Sequence, residues 1–368
     1  MTADGAGRAD DREQLRAEFL AASGLALATR TVLTRDASTR RYERVRATSG
    51  RTLLLMDQPR DSGGPPCDPA WSPAQRERKG WASVARLSAG RLEAFAAVAA
   101  HLRSIGLRAP AIEDLDVSNG LALVEDFGDE SFARSLRVAA DEMTLYLQAV
   151  KALAVLHDAP SPAVLSGAGG NWPLLTLDGT ALQAAADLYL DWMPVAEHSP
   201  APGPIARAEW RQAWAPVVAA EAAAAESVIH RDFHAENLIR LPGHGVNAVG
   251  VIDFQDAILA NPGVDLHSLL QDARRDVHPA VEKRALDHYL ACRPAVDRES
   301  FTDRYHGSAA LNQVRILGIL ARLVTRDAKP RYRALMPRVR RSLRANLARG
   351  RLVPVQDWFR CHEPECGW

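Results

Sequence analysis

The sequence predicts an α+β protein of two unequal parts, a small β-rich first third and a larger helical remainder. Three observations carry this. Short apolar and β-branched runs separated by turn residues crowd residues 31–125. After Gly128, apolar residues recur at helical spacing over long stretches. Within that helical part, residues 228–253 form two short apolar strands around a polar loop. Such a loop, set between a sheet part and a helical part, suits a cleft.

In chain order, residues 1–11 read as a loose tail, and 13–22 as a helix with Leu15, Phe19 and Leu20 on one face. Residues 31–33, 41–47 and 52–56 read as strands. Residues 60–90 are rich in Pro, Gly and Ser, carry Trp71 and Trp81, and read as a long inserted loop. Leu92, Phe95, Val98, Ala99 and Leu102 mark a helix over 92–105, followed by a strand pair at 111–116 and 120–125. Residues 141–157 predict an amphipathic helix. Further helices are expected at 177–192, 205–226, 261–275, 279–292, 308–325 and 331–348. The expected division is 1–126 and 127–368, with no internal repeat.

Composition narrows the function. Lys+Arg and Asp+Glu both total 45 in 368 residues, so the basic excess of a nucleic-acid binder is missing. Residues 1–16 are polar, unlike a signal peptide, and the Ala-rich run at 215–225 is broken by Pro216 and Glu221. Cys67, Cys292, Cys361 and Cys366 are too scattered for a disulfide framework. The terminal run Cys361 to Cys366 is not a closed metal site and reads as a frayed end. A cytoplasmic protein follows, a monomer or weak homodimer, with no nucleic-acid or membrane partner.

The strongest signal is His230-Arg231-Asp232 with Asn237 five residues on, followed by the apolar strand Val251-Ile252 leading to Asp253-Phe254-Gln255. Phosphoryl transfer asks for this set. A carboxylate, Asp232, orients the acceptor hydroxyl and takes its proton. Asn237 and Asp253 offer oxygen ligands for Mg²⁺ across the phosphates of ATP. A lone His-Arg-Asp would be a common turn; the spacing of all three groups is what points to chemistry.

At these residues the chain resembles the aminoglycoside phosphotransferase/choline kinase-like superfamily, which shares the protein-kinase fold. Within it, 230–238 and 252–257 are closest to the anomeric kinases of N-acetylmuramate and N-acetylglucosamine in cell-wall recycling. The likeness extends to 36–57 and 315–332. It implies a bilobal fold, ATP and Mg²⁺ as cofactors, and an amino sugar as the small-molecule acceptor. It also implies that Asp265, on the residues alone a helix N-cap, holds the backbone of the 230–237 loop.

The nucleotide side departs from a protein kinase. The loop 34–41 has no glycine, leaving backbone N–H groups and the Ser38 and Thr39 hydroxyls to meet phosphate. Met56 stands about where the ATP lysine would fall, and the four lysines (Lys79, Lys151, Lys283, Lys329) are remote in sequence. Arg41 and Arg44 are the candidate replacements, although strand alternation puts them on opposite faces. Glu93 could be an ion-pair partner but is more simply a helix-start acid. Glu125, Asp126 and Phe127 are the expected hinge whose backbone meets adenine, with Val45 and Leu123 as apolar walls.

On the acceptor side, His234, Gln255, Asp256, Asn312 and Arg315 are the expected contacts, with Glu236 and His267 nearby in sequence. The C-terminal part shows no acidic cluster suited to an aminoglycoside, which tilts the reading to a neutral or anionic sugar; Arg315 or Arg326 could bind a carboxylate. Two other readings fit the same motifs: a kinase for an amino alcohol, antibiotic or other metabolite, and a nucleotide-binding pseudokinase. Intact Asp232, Asn237 and Asp253 speak against the last, and the missing glycines and lysine speak for it.

Overall fold

The computed structural model describes residues 3–33, 40–60, 64–138 and 141–366. Ser38 and Thr39 lie outside them. The chain opens with helix α1 (Ala3–Ala22), which starts well before the expected helix. Strands β1 (Thr29–Val32), β2 (Arg41–Arg46) and β3 (Thr52–Asp57) follow. After the short helices α2 (Pro73–Lys79) and α3 (Trp81–Val84) come α4 (Leu92–Ser104) and strands β4 (Ile112–Asp116) and β5 (Leu121–Glu125). The five strands form one sheet in the order β1-β2-β3-β5-β4, antiparallel throughout.

Period-two alternation gives this sheet two different faces. Val45, Leu53, Leu55, Leu121 and Leu123 pack under Phe19 and Leu20 of α1. Met56, Ala122 and Val124 face the other way and join Phe95 and Val98 of α4 in the main core. That second face looks onto the helical region.

Residues 60–90 are not a bare loop. Ser72 caps α2 in a reciprocal capping box with Gln75, and Pro73 opens the helix. Arg76 is buried and pairs with Asp178 at 2.9 Å, and Arg86 reaches the same carboxylate at 2.8 Å. The inserted segment is thereby fastened to the helical region.

That region comprises α5 (Phe132–Ser135), α6 (Glu142–Asp158), the hairpin β6 (Val164–Gly167) and β7 (Gly170–Pro173), α7 (Gly179–Glu197) and α8 (Pro204–Ala223). Four three-residue strands follow: β8 (Ser227–Ile229), β9 (Leu238–Arg240), β10 (Val249–Val251) and β11 (Ile258–Ala260), with β8 pairing β11 and β9 pairing β10. Helices α9 (Gly263–Leu270), α10 (Pro279–Cys292), α11 (Arg298–Thr325), α12 (Met336–Leu347) and α13 (Val353–His362) complete it. Gly318 lets α11 approach α7: a Cβ there would fall 2.5 Å from the Leu188 backbone.

The chain end is docked through Glu363 rather than frayed. Trp358 and Phe359 of α13 pack edge-on against Trp210, and the Tyr189 hydroxyl donates to Glu363 at 2.7 Å. Each such buried aromatic contributes about 1.5–3 kcal/mol, which outweighs the fraying expected of a terminus. Among the described residues no helix is long and apolar enough to cross a membrane.

Candidate active site

The buried strand β8 delivers the loop 230–237, and a single carboxylate fixes that loop. Asp265 of α9, fully buried, accepts the His230 N–H at 2.6 Å and the Arg231 N–H at 2.7 Å. His157 supports Asp265 from behind at 3.3 Å and itself meets the Tyr289 hydroxyl at 2.8 Å. Asp265 is therefore a loop clamp and not a helix cap; the α9 N-cap is Pro262. The clamp holds Arg231 at φ +78°, a left-handed conformation that costs about 1–3 kcal/mol.

His230 couples this loop to the strand carrying Asp253. Its Nε2 donates to the Ile252 carbonyl at 2.9 Å, and its Nδ1 accepts the Asp232 N–H at 3.2 Å, which is the neutral tautomer. The Ile252 N–H reaches the Asn237 carbonyl at 3.1 Å, and the Asn237 amide donates to the Asp232 carbonyl at 2.9 Å. Asp253 follows at φ +63°, and Phe254 anchors it by stacking on Phe95 of α4 with ring centroids 5.0 Å apart. Asp232, Asn237 and Asp253 are thus brought to one place by backbone bonds between two loops.

The Asp232 carboxylate stays about half exposed, at 56%, with His234 Nε2 3.5 Å away. Partial burial pushes its pKa up, but His234, Arg274 and Arg315 outweigh this and hold it well below the usual carboxylate range. His234 is raised in return: burial pulls it down and the Asp232 charge more than compensates.

For a divalent cation, Asn237 and Asp253 are the available oxygen ligands. Asp253 is 43% exposed, and the Arg40 and Gln255 contacts both fall on its Oδ1. This hard-oxygen pair fits Mg²⁺, whose remaining ligands would be phosphate oxygens and water. Among the described residues there is no cluster of three or more His, Cys, Asp or Glu side chains suited to a metal.

Several expected nucleotide contacts are elsewhere. Val45 and Leu123 belong to the sheet face under α1, because the sheet is apolar on both faces and parity, not hydrophobicity, decides orientation. Arg41 shares that face and pairs with buried Glu43 at 2.8 Å. Arg44 is on the cleft face, but Asp126 at 2.7 Å and Asp129 at 2.8 Å neutralise it. The Glu125 N–H is taken by the Ala111 carbonyl at 2.8 Å, and its carboxylate by Arg108 at 2.9 Å. Glu93 pairs with Arg60 at 2.8 Å, not with a strand cation.

The residue that sequence reasoning missed is Arg40. Its Nη1 donates to Asp253 Oδ1 at 2.8 Å. The signal was available: Arg40, Tyr42 and Arg44 share parity, so a cation beside Arg41 belongs to the cleft face.

The acceptor candidates divide. Asp232, His234, Asn312 and Arg315 line one cleft of about 600 Å³, joined by Arg274 and Arg331 and by apolar Ile316, Ile319 and Leu323. Arg315 donates to Asn312 Oδ1 at 2.9 Å and forms no ion pair among the described residues. Gln255 instead holds Asp253 at 3.2 Å, and Asp256 accepts the Ser88 N–H of the inserted segment at 2.6 Å. Arg326 is turned to Asp327 at 2.7 Å. The same inserted segment offers the Ala85 and Arg86 carbonyls to the Arg231 guanidinium, at 2.7 and 3.3 Å. Burial pushes Arg231 down to about 10, with Arg315 nearby adding to the shift.

A profile of the phosphotransferase enzyme family matches residues 29–300. The chain is 45% identical to the N-acetylmuramate/N-acetylglucosamine kinase of Caulobacter vibrioides, over 96% of this chain and 97% of that one. The chain belongs to the phosphotransferase enzyme family. A second kinase of the same description, from Pseudomonas putida, is 25% identical over 84% of this chain and 80% of its own length. Among solved structures, a choline/ethanolamine kinase family protein from Mesorhizobium loti matches with a TM-score of 0.56 at 17% identity, covering 95% of this chain and 99% of that one. The profile match stops at residue 300, within α11, whereas the fold likeness covers 95% of the chain.

Proposed function

We propose that the protein is an ATP-dependent kinase that phosphorylates the anomeric hydroxyl of an amino sugar, N-acetylmuramate or N-acetylglucosamine, in the cytoplasm. Membership of the phosphotransferase family and the kinase relatives at up to 45% identity among those compared support the reaction class. The observation that carries the acceptor is Arg315: a partly buried guanidinium without an ion pair among the described residues, in the cleft that holds Asp232. A desolvated cation there favours an anionic group, and the neighbouring Ile316 and Leu323 suit the apolar face of a sugar. Arg274 is paired with Glu236 at 3.1 Å, and Asp232 and Asp272 also line the cleft, so the case against a polycationic antibiotic rests on Arg315.

In this reading the acceptor hydroxyl donates to Asp232, which stays anionic and positions the oxygen for in-line attack. Its low basicity suits a transition state in which the proton leaves late. Bound Mg²⁺, held by Asn237 and Asp253, supplies charge neutralisation at the transferring phosphoryl group. The loop clamp at Asp265 and the Phe95–Phe254 stack keep the two oxygen ligands at fixed separation.

The test is ADP release over a panel of N-acetylmuramate, N-acetylglucosamine, choline and kanamycin, with ³¹P NMR locating the new phosphate. Turnover on the two sugars with a 1-phosphate product is expected; turnover on choline or kanamycin alone sinks the assignment. Asp232→Asn should lower kcat by about 10²–10⁴-fold without loss of fold.

A further inference from the structure

Beside the acceptor cleft lies a smaller and more enclosed cavity of about 40 Å³, and Asn312 and Arg315 of α11 stand in the walls of both. Its lining is mostly apolar, with Trp81 and Ala85 from the inserted segment and Leu182 and Ala185 from α7, and Arg231 joins Arg315 on it. We propose that this cavity takes a short carboxylate arm of the acceptor, the carboxyethyl ether that distinguishes N-acetylmuramate from N-acetylglucosamine. The carboxylate meets Arg231 and Arg315, and the methyl group meets the apolar wall. This rests on the amino-sugar reading above, and it adds Arg231 and the inserted segment to what selects the acceptor.

The first observation is charge. Arg231 is 9% exposed and, among the described residues, donates only to the Ala85 and Arg86 carbonyls. Arg315 donates only to Asn312 Oδ1 among the same residues, and neither guanidinium forms an ion pair with them. The two cations are close enough that the Arg315 charge adds to the downward shift of Arg231. Two neighbouring desolvated cations without a counter-charge are stabilised by an anion, and a guanidinium has five N–H donors, so both keep several for it. The second observation is size. One water takes up about 10–15 Å³ of such a cavity, so there is room for a carboxylate and a methyl group but not for a sugar ring. The third is place. Arg231 directly precedes Asp232, and Asn312 and Arg315 share the cleft with it, so an arm seated here holds its ring beside Asp232 with the anomeric hydroxyl free. Glu221 also lines the cavity, but it is bonded to Ser308, about 10 Å along α11 from Arg315. Burial raises its pKa to about 7, which weakens its opposition to an anion.

The experiment measures KM by ADP release for N-acetylmuramate, its methyl ester and N-acetylglucosamine. The proteins are wild type, Arg231→Gln and Ala185→Leu, with thermal melts to check the fold. Each protein's own KM for N-acetylglucosamine, which has no such arm, is the reference. In wild type the ester, uncharged and one carbon too large, should show a KM roughly tenfold or more above that of the free acid, the loss of a charge-assisted hydrogen bond. Arg231→Gln removes the charge and Ala185→Leu fills the space, so both should raise the ratio of the N-acetylmuramate KM to the reference by a similar factor. A purely structural role for either residue moves both KM values together and leaves that ratio unchanged. Equal KM values for acid and ester in wild type overturn the proposal even where a variant fails to fold, and leave the kinase reading standing. A wild type that phosphorylates neither sugar overturns both.

Discussion

The two faces of the N-terminal sheet are both rich in arginine, and they use it in opposite ways. Under α1, Arg12, Arg16, Arg30 and Arg41 converge on Glu43 and Asp57, two carboxylates that are almost fully buried. On the cleft face, Arg40 and Arg44 reach out of the sheet, to Asp253 of the helical region and to Asp126 and Asp129 just after β5. The first face is an internal network, which Glu13 joins through Arg16 and Arg30. The second ends in carboxylates that belong to the site. Neighbours Arg40 and Arg41 differ only by the pleat, so a one-residue step separates a charge paired inside the sheet face from one paired with Asp253.

Experiments on this contrast can be ordered by size. Glu43→Ala should be the largest. It leaves Arg16, Arg30 and Arg41 around a buried hole, and urea melts should report a loss of about 3–5 kcal/mol. The surviving folded fraction should keep its kcat, because nothing on that face reaches the cleft.

Glu221 is the opposite case, a buried carboxyl with no ion pair among the described residues, held by Ser308 and by Asn261 at 3.0 Å. Burial pushes it up to about 7 from an ordinary 4.5. Between those values the folded protein keeps a proton that the unfolded chain has released, so stability falls as pH rises through that window, by about 3 kcal/mol in all. Glu221→Gln should flatten that slope in melts at pH 5 and pH 8; an unchanged slope would mean that the carboxyl is ionised in the fold.

Arg315→Ala sharpens the acceptor side. It should raise KM for N-acetylmuramate about 10- to 100-fold, the worth of a charge-assisted hydrogen bond, and leave KM for N-acetylglucosamine within about threefold. Equal losses for both sugars would place the arginine on the shared ring instead of the carboxylate. Smallest of all, Arg41→Gln should cost about 1 kcal/mol or less of stability, since Arg16 and Arg30 still cover Glu43, and should not change ATP affinity. If it weakened ATP, the assignment of faces would be broken.

The spacing of Asp232, Asn237 and Asp253 was legible in the sequence because local chain geometry dictates it: a short loop and a strand end carry all three. The helices were legible for the same reason, through periodicity. Residues 60–90 were misread as loop although Ser72-Pro73 with Gln75 is a helix start, because α2 is too short to show a period. The α13 helix was missed for similar reasons: its two aromatics are adjacent, and their value comes from Trp210 and Tyr189 more than a hundred residues away.

Sequence alone, then, determined the two-part α+β architecture and the spacing of Asp232, Asn237 and Asp253. Tertiary structure decided which arginine faces the cleft, which carboxylate clamps the loop, and what the inserted segment does. The reason is that charge is not local. Arg40 and Arg41 are alike until β2 and β3 pair, and Asp265 looks like a helix cap until α9 packs under the loop of β8 and presents its two oxygens to the His230 and Arg231 amides.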